Sequence, residues 1–303
     1  MAKYVAKRIL LAIVSIWIIT MITFFAMNAI PGGPFNKEKA TSPAVIATLE
    51  ARYNLDKPVG EQYVLYMKNL LHGDWGISLH SGRPIWDDMM SKFSVSAKLG
   101  GRAAILAIIV GIVLGAAAAL TRNKLPDRLI IFFTTLGTAM PSFVLATLLL
   151  LVFCLKLGWF PVFSSSSPNY TLPVIALAVY PMAYITRLTK TSMLDALNQD
   201  YIRTARAKGV SKLKVIFLHA LRNALIPVIT YVGPMVAYIL TGSMVVENIF
   251  TIGGLGSTFV TSITNRDYTT IMAVTIFLAI LMVIANLITD IVYKMVDPRI
   301  KLD

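Results

Sequence analysis

The sequence predicts an all-α integral membrane protein with six transmembrane helices and both termini in the cytoplasm. Three observations carry this expectation. Of the 303 residues, 56% are hydrophobic and only 14% charged, and the mean hydropathy is +0.71. Soluble domains run at roughly 45–50% apolar and about 25% charged, so the excess apolar surface must face lipid. Second, apolar runs near the ~20 residues that cross a bilayer recur along the chain. Third, 28 Lys and Arg against 15 Asp and Glu give a net charge of +13, and these positives concentrate on alternate loops. The hydrophobicity also excludes disorder. In a membrane protein the basic excess reports sidedness, and no nucleic-acid partner is expected.

The first span covers residues 9–30, follows Lys7-Arg8 and ends at Pro31-Gly32-Gly33-Pro34. Its apolar stretch exceeds the ~7–15 residues of a signal-peptide core and no A-x-A site follows, so it reads as a retained helix. Further spans are expected at 103–120, 129–155, 172–185, 224–246 and 269–293. The span at 172–185 is the shortest and is broken by Pro181. Pro141 falls in the third span, and Pro227 and Pro234 in the fifth. Neighbouring helices can re-satisfy the carbonyls that proline frees, so the prolines predict either kinked helices around a cavity or ordinary membrane packing.

With the N-terminus inside, the cytoplasmic pieces are the N-terminus, the 121–128 loop, the 186–223 loop and the C-terminus. Together they hold seventeen positives, eight of them in the 186–223 loop. The two short outer loops hold only Lys156 and Arg266. The long 31–98 segment carries eight positives and seven acids, and long loops count little in this rule. Arg102 remains, at a span edge.

The chain divides into residues 1–98, one helix plus an extracytoplasmic segment, and 99–303, a five-helix core with a cytoplasmic loop at 186–223. Within the outer segment Ser42-Pro43 opens a helical pattern towards Arg52, and 58–71 reads as a second helix. His72-Gly73-Asp74-Trp75-Gly76 reads as a turn with an anchoring aromatic. This segment is compatible with docking an extracellular partner or with capping the bundle.

Catalytic and cofactor chemistry finds little support. Cys154 is alone in an apolar run, the three histidines are scattered, and Gly-Lys never occurs. A phosphate loop and a cysteine-rich metal site are therefore both excluded. Any nucleotide energy must come from another polypeptide.

The 186–223 loop is the most informative stretch. Residues 196–208 read as a helix in which Leu197, Tyr201 and Ala205 recur at i, i+4, i+8 as a narrow apolar face. Arg203, Arg206 and Lys208 lie on other faces. Gly209 suits the C′ position, and Ser211 suits the N-cap of a second helix from Lys212. Such an elbow fits a partner's groove or holds anionic lipid below the membrane.

Arg203-Thr204-Ala205-Arg206-Ala207-Lys208-Gly209 resembles the E-A-A-x-x-x-G motif of ABC importer membrane subunits. Arg203 stands for Glu and Thr204 for the first Ala, while Ala205 and Gly209 match. Downstream, His219-Ala220-Leu221-Arg222 keeps only the leucine of I-x-L-P. The peptide-permease branch itself commonly reads R-T-A-R-A-K-G followed by H-A-L. Ala139-Met140-Pro141-Ser142-Phe143, Gly158-Trp159-Phe160-Pro161, Thr241 to Glu247, Asn265-Arg266-Asp267-Tyr268 and Asp297-Pro298-Arg299 also resemble this branch. So does the opening basic helix followed by Pro-Gly-x-Pro-Phe.

The resemblance covers essentially the whole chain and points to the B-type membrane subunit of an oligopeptide or dipeptide ABC importer. It implies a type I importer permease fold. It also implies a second homologous permease subunit, two cytoplasmic ATP-binding subunits and an extracytoplasmic peptide-binding protein as partners. No cofactor is expected on this chain, with ATP and Mg on the ATPases. The chain is expected to be non-catalytic, and membrane lipid surrounds it. The resemblance assigns ATPase coupling to Tyr201, Arg203, Thr204, Ala205, Arg206 and Gly209, with Arg203 departing from the acceptor chemistry of a glutamate.

Other candidates lie in the spans. Asn286, Asp290, Tyr293 and Asp297 recur as a polar stripe, which either lines a vestibule or partner contact or pairs with nearby basic residues. Glu247 either faces a translocation path or caps the turn to Asn248. Pro141 and Ser142 are candidate path or gate residues. The glycine-rich 251–268 loop reads as a re-entrant or scoop-like element at the outer gate. A dipeptide or nickel importer is the nearest alternative. A self-sufficient channel or secondary transporter is more remote, because no inverted repeat or coupling-ion site is apparent. A membrane enzyme lacks a clustered catalytic set.

Overall fold

The computed structural model describes residues 2–30 and 56–296. Among these the helices are α1 (Ala2–Asn28), α2 (Val59–Leu71), α3 (Ile85–Leu120), α4 (Leu125–Ala139), α5 (Ser142–Leu149), α6 (Thr171–Leu197), α7 (Asp200–Ala207), α8 (Arg222–Leu240), α9 (Met244–Ile249), α10 (Leu255–Asn265) and α11 (Tyr268–Val296). A π-helical stretch, Leu150–Lys156, continues α5. Lys212–Lys214 and a second π-helical stretch, Val215–Leu221, lead into α8. The expected helix towards Arg52 and the Pro31–Pro34 stop lie outside the described residues.

Five helical segments are long and apolar enough to cross a membrane, and a sixth crossing exists if the pair α4 and α5 counts as one. That pair is bent by 104°, which corrects the expectation of one continuous helix over 129–155. The cause is local. Proline disfavours helical backbone in its predecessor, and Met140 adopts φ −83° and ψ 123°, so α4 stops there. Pro141 then opens α5, where its missing N–H costs nothing.

Other boundaries also move. Helix α3 begins at Ile85, inside the segment read as an outer loop to residue 98. Pro181 does not break the fourth span: it lies buried within α6, which runs on to Leu197. Arg187 and Lys190 are therefore residues of α6 and not of a loop. The region 251–268 contains the helix α10 where a loop was expected.

The chain forms two compact units, Met1–Ser94 with Thr258–Val283, and Val95–Ser257 with Ile284–Asp303. In the first unit, Phe24 of α1 packs its ring against Tyr63 and Tyr66 of α2, with centroids 5.3 and 5.9 Å apart. The 72–76 turn forms as expected, with Gly73 and Gly76 at φ 82° and 80°. Its Trp75 stacks on Trp86 at 5.3 Å. Buried Asp267 caps α11, accepting the Thr270 N–H at 3.3 Å and the Thr270 hydroxyl at 2.8 Å. The same carboxylate takes the Ser78 hydroxyl at 2.5 Å and the Leu79 N–H at 3.1 Å. One side chain thus closes a helix and pins the 77–84 turn.

In the second unit, α6 is the common wall against which α3, α4, α5 and α8 pack. The Lys190 ammonium meets Asp127 of α4 at 2.5 Å. Against α3 the approach is closer still. A Cβ at Gly111 would lie 2.7 Å from Ile185, and one at Gly115 2.5 Å from Thr189 and 2.6 Å from the Thr186 carbonyl. This is the small-x-x-x-small packing that joins helices in lipid, where burial of apolar surface supplies no drive.

Gly115→Val therefore forces α3 and α6 apart and is expected to destabilise the purified protein by about 1–3 kcal/mol, the range for overpacking. Gly101→Val on the same helix, where nothing lies within 4 Å of the new Cβ, is expected to change little. Thermal unfolding of both variants in one detergent checks the contrast.

Candidate functional site

The 186–223 region resolves into an elbow built on one small core. Helix α6 ends at Leu197, Asn198 and Gln199 turn the chain, and α7 starts at Asp200. The single helix expected over 196–208 is therefore two helices. Helix α7 ends in paired carbonyl caps: the Gly209 N–H donates to Arg206 at 3.0 Å and the Val210 N–H to Ala205 at 3.1 Å. Gly209 has φ 76°, the left-handed conformation that this cap requires and that glycine adopts without strain. Ser211 occupies the next N-cap position, but its side chain makes no capping bond.

The face that holds α7 is Ile202 and Ala205, at 0% and 7% exposure. They pack with Met193 and Ala196 of α6 and with Val215, Ile216 and Ala220 of the π-helical lead-in. This corrects the expected Leu197–Tyr201–Ala205 face. Leu197 belongs to α6, Ala205 turns inward, and Tyr201 stays 41% exposed. Small Ala205 thus lets α7 approach its own chain, not a partner. Outward point Tyr201, Arg203, Thr204, Arg206 and Lys208. Arg203 makes a surface pair with Asp200 at 3.4 Å, which contributes little in water. Beyond the elbow, Leu213, Phe217 and Leu218 are 58–68% exposed.

A cavity of about 680 Å³ opens in the second unit. Pro141 and Ser142 line it, and so do Pro181 of α6 and Pro234 of α8. Three prolines scattered in sequence thus meet at one place. Within α6, Pro181 leaves the carbonyl of Leu177, itself a lining residue, without its helical donor. Tyr180, Tyr231 and Tyr238 supply aromatic walls, and no Asp, Glu, Lys, Arg or His is among the lining residues. Pro227 is not among them.

Glu247 is not part of this cavity. Its side chain is fully buried, which corrects its reading as a path residue. Ser96 of α3 donates to it at 2.7 Å, and the Ser257 N–H at 3.0 Å. Ser96 in turn accepts the Leu255 N–H at 2.8 Å. Glu247 therefore caps the start of α10 and ties it to α3. A Cβ at Gly254 would sit 2.5 Å from its carboxylate, so the glycines of this stretch leave room for the carboxylate. Asn286 is exposed on α11, outside the cavity. Asp290 and Tyr293 fall in the same helix, and Asp297 lies outside the described residues.

Sequence reasoning missed Ile202, Ser96, the three tyrosines and the Gly111–Gly115 contact. The G-x-x-x-G spacing was readable at 111–115, and Ile202 with Ala205 forms an i, i+3 pair. Nothing local marks Ser96 as the partner of a residue 151 positions away.

Residues 111–302 match the family described as binding-protein-dependent transport system inner membrane component. Residues 1–100 match its N-terminal companion family. The dipeptide transport system permease protein DppB of Bacillus subtilis is 48% identical over 304 residues, covering 100% of this chain and 99% of that protein. The oligopeptide transport system permease protein OppB of Haemophilus influenzae is 42% identical over 305 residues, covering 99% and 100%. A crystal structure of an amino acid ABC transporter with histidines aligns with a TM-score of 0.57 at 16% identity, over 69% of this chain and 94% of that one. The MetNI methionine ABC transporter in an inward-facing form aligns at 0.59 and 14%, over 71% and 98%. The fold is that of ABC transporter permeases.

Because Ile202 is the central anchor of α7, Ile202→Ala is expected to weaken the elbow by about 2–5 kcal/mol. Hydrogen exchange should then accelerate in α7 while the rest of α6 keeps its protection. Arg203→Ala, which removes only an exposed pair, should leave exchange unchanged.

Proposed function

The chain belongs to the binding-protein-dependent transport system inner membrane component family, and we propose that it is the non-catalytic permease subunit of an ATP-driven peptide importer. Peptide is the substrate class named in its full-length relatives. The structural observation that carries the reading is α7, a rigid helix clamped by Ile202 and Ala205 and ended by Gly209, with Tyr201, Thr204 and Arg206 facing outward. A helix so held transmits a push from a docked ATPase into α6 and α8 as rigid-body motion.

The assembly is read as this chain, a second homologous permease subunit, two cytoplasmic ATP-binding subunits that hold ATP and Mg, and an extracytoplasmic peptide-binding protein. Membership in the family supports ATP-binding and substrate-binding partners in general. The distribution of positive charge supports placing both termini and α7 in the cytoplasm of a bacterial cell. We assign the cavity of about 680 Å³ to the wall of the translocation route. Its uncharged lining with a spare carbonyl suits passage of many peptides, since backbone N–H groups are common to all of them.

A pull-down in mild detergent should recover two ATP-binding subunits and one homologous permease. The reconstituted complex should then take up peptide only with ATP. Recovery of the chain alone as an oligomer that passes peptide without ATP would overturn the reading.

Within that complex Tyr201→Ala is expected to lower ATP-driven uptake at least about tenfold, the scale of a buried aromatic anchor at an interface, with the amount of inserted protein unchanged. Uptake of labelled peptide by cells that carry no other peptide importer measures it.

A further inference from the structure

Arg102 is the basic residue that the charge pattern leaves over. It lies on α3 just before residues 103–120, which contain no charged group. Those 18 residues span ~27 Å at 1.5 Å each, close to the ~30 Å of hydrocarbon. Arg102 therefore stands at the depth of the lipid phosphates. It is exposed, and no carboxylate pairs with it among the described residues. Its guanidinium lies 4.8 Å over the ring of Tyr170, an aromatic of the kind that settles at the membrane interface.

Around this pair the structure has a cavity of about 660 Å³ lined by both polar and apolar residues. Its polar lining includes Arg102, Ser167 and Asn169. The Asn169 side-chain oxygen is taken by the Thr171 N–H at 2.9 Å, which leaves its NH₂ as a donor. About one turn further along α3 and α6, Leu106, Val174 and Ile175 give it an apolar wall. No Asp or Glu lines the space. A planar guanidinium with adjacent amide and hydroxyl donors matches a tetrahedral phosphate. The apolar wall matches the start of an acyl chain.

We propose that the cavity at Arg102 and Tyr170 binds the phosphate headgroup of an anionic phospholipid. The arginine holds the phosphate, Asn169 and Ser167 donate to its remaining oxygens, and Leu106 and Val174 receive the glycerol end of the chain. Lack of an acidic group selects against zwitterionic lipid, because a choline ammonium finds no counter-charge there. The depth of Arg102 favours lipid over soluble phosphate.

Native mass spectrometry of the intact transporter from nanodiscs tests this. From equal mixtures of phosphatidylglycerol and phosphatidylcholine, the wild type should retain phosphatidylglycerol preferentially. Arg102→Gln should bind it roughly tenfold more weakly, the loss expected for one charge-assisted contact of about 1.4 kcal/mol or more. Arg102→Lys, which keeps the charge but not the planar fork, should fall between the two, and this separates a lost contact from a lost fold. Arg128→Gln, outside the cavity, should match the wild type. Equal retention by wild type and Arg102→Gln, or equal retention of the two lipids, would overturn the proposal. Displacement of the lipid by millimolar inorganic phosphate would overturn the lipid assignment and leave a soluble-anion site.

Discussion

The close approach of α3 and α6 at Gly111 and Gly115 is the contact on which the second unit depends. In water, apolar helices associate because they remove surface from solvent. In lipid that drive is absent, and close packing with dispersion contacts takes its place. The glycines bring α3 against Ile185, Thr186 and Thr189, so α6 stands still enough to be a wall. Three further features of this unit are referred to α6: Lys190 fixes α4 to it, Pro181 faces the cavity from it, and its last turns with Met193 and Ala196 hold α7.

Buried carboxylates do a second job that the apolar helices cannot. Asp127, Glu247 and Asp267 are at most 5% exposed, and each is fully engaged. Asp127 takes the Lys190 ammonium and the N–H of Asn123, which sits at φ 66°. Glu247 takes Ser96 and the start of α10, and Asp267 takes Ser78 and the start of α11. A helix start leaves N–H groups that nothing in the helix can satisfy. In a membrane protein water does not reliably reach them, so each buried start needs an acceptor from the chain. The same carboxylate then reaches a distant segment, which fixes the fold around the cap.

This explains what could be read from the sequence and what could not. The apolar runs show directly which helices cross, because lipid leaves a composition signal over ~20 residues. Gly209 was legible because glycine takes a left-handed cap without strain whatever surrounds it. Boundaries were less legible. Helix α3 carries charged residues for its first turns, and hydropathy sees only its apolar part. Pro181 and Pro141 look alike in sequence, yet one is absorbed inside α6 and the other separates two helices at 104°. The difference lies in their neighbours. Pro181 is buried among packed helices that hold α6 together, while Pro141 is exposed and Met140 is free to turn extended. Likewise, Glu247 is a polar residue at a span end by sequence, and only long-range packing with Ser96 makes it a cap.

The position of the prolines bears on how the elbow acts under the proposed function. Helix α7 is bonded by its apolar face to both α6 and the lead-in of α8, so a displacement of α7 moves the two together. Along α6 the distance from Leu197 back to Pro181 is sixteen residues, ~24 Å at 1.5 Å per residue. Along α8 the first proline is Pro227, outside the cavity, and the second is Pro234, at it. Both helices therefore carry, at the cavity, a residue that has removed one backbone hydrogen bond and lowered the local resistance to bending. Between the elbow and those positions, Lys190–Asp127 and the glycine contact to α3 stiffen α6. In α6, stiffness near the push and compliance at the cavity is the arrangement that converts motion of a docked helix into a change of cavity shape. A uniformly rigid α6 would carry the whole bundle along unchanged, and a uniformly soft one would absorb the push before it reached Pro181.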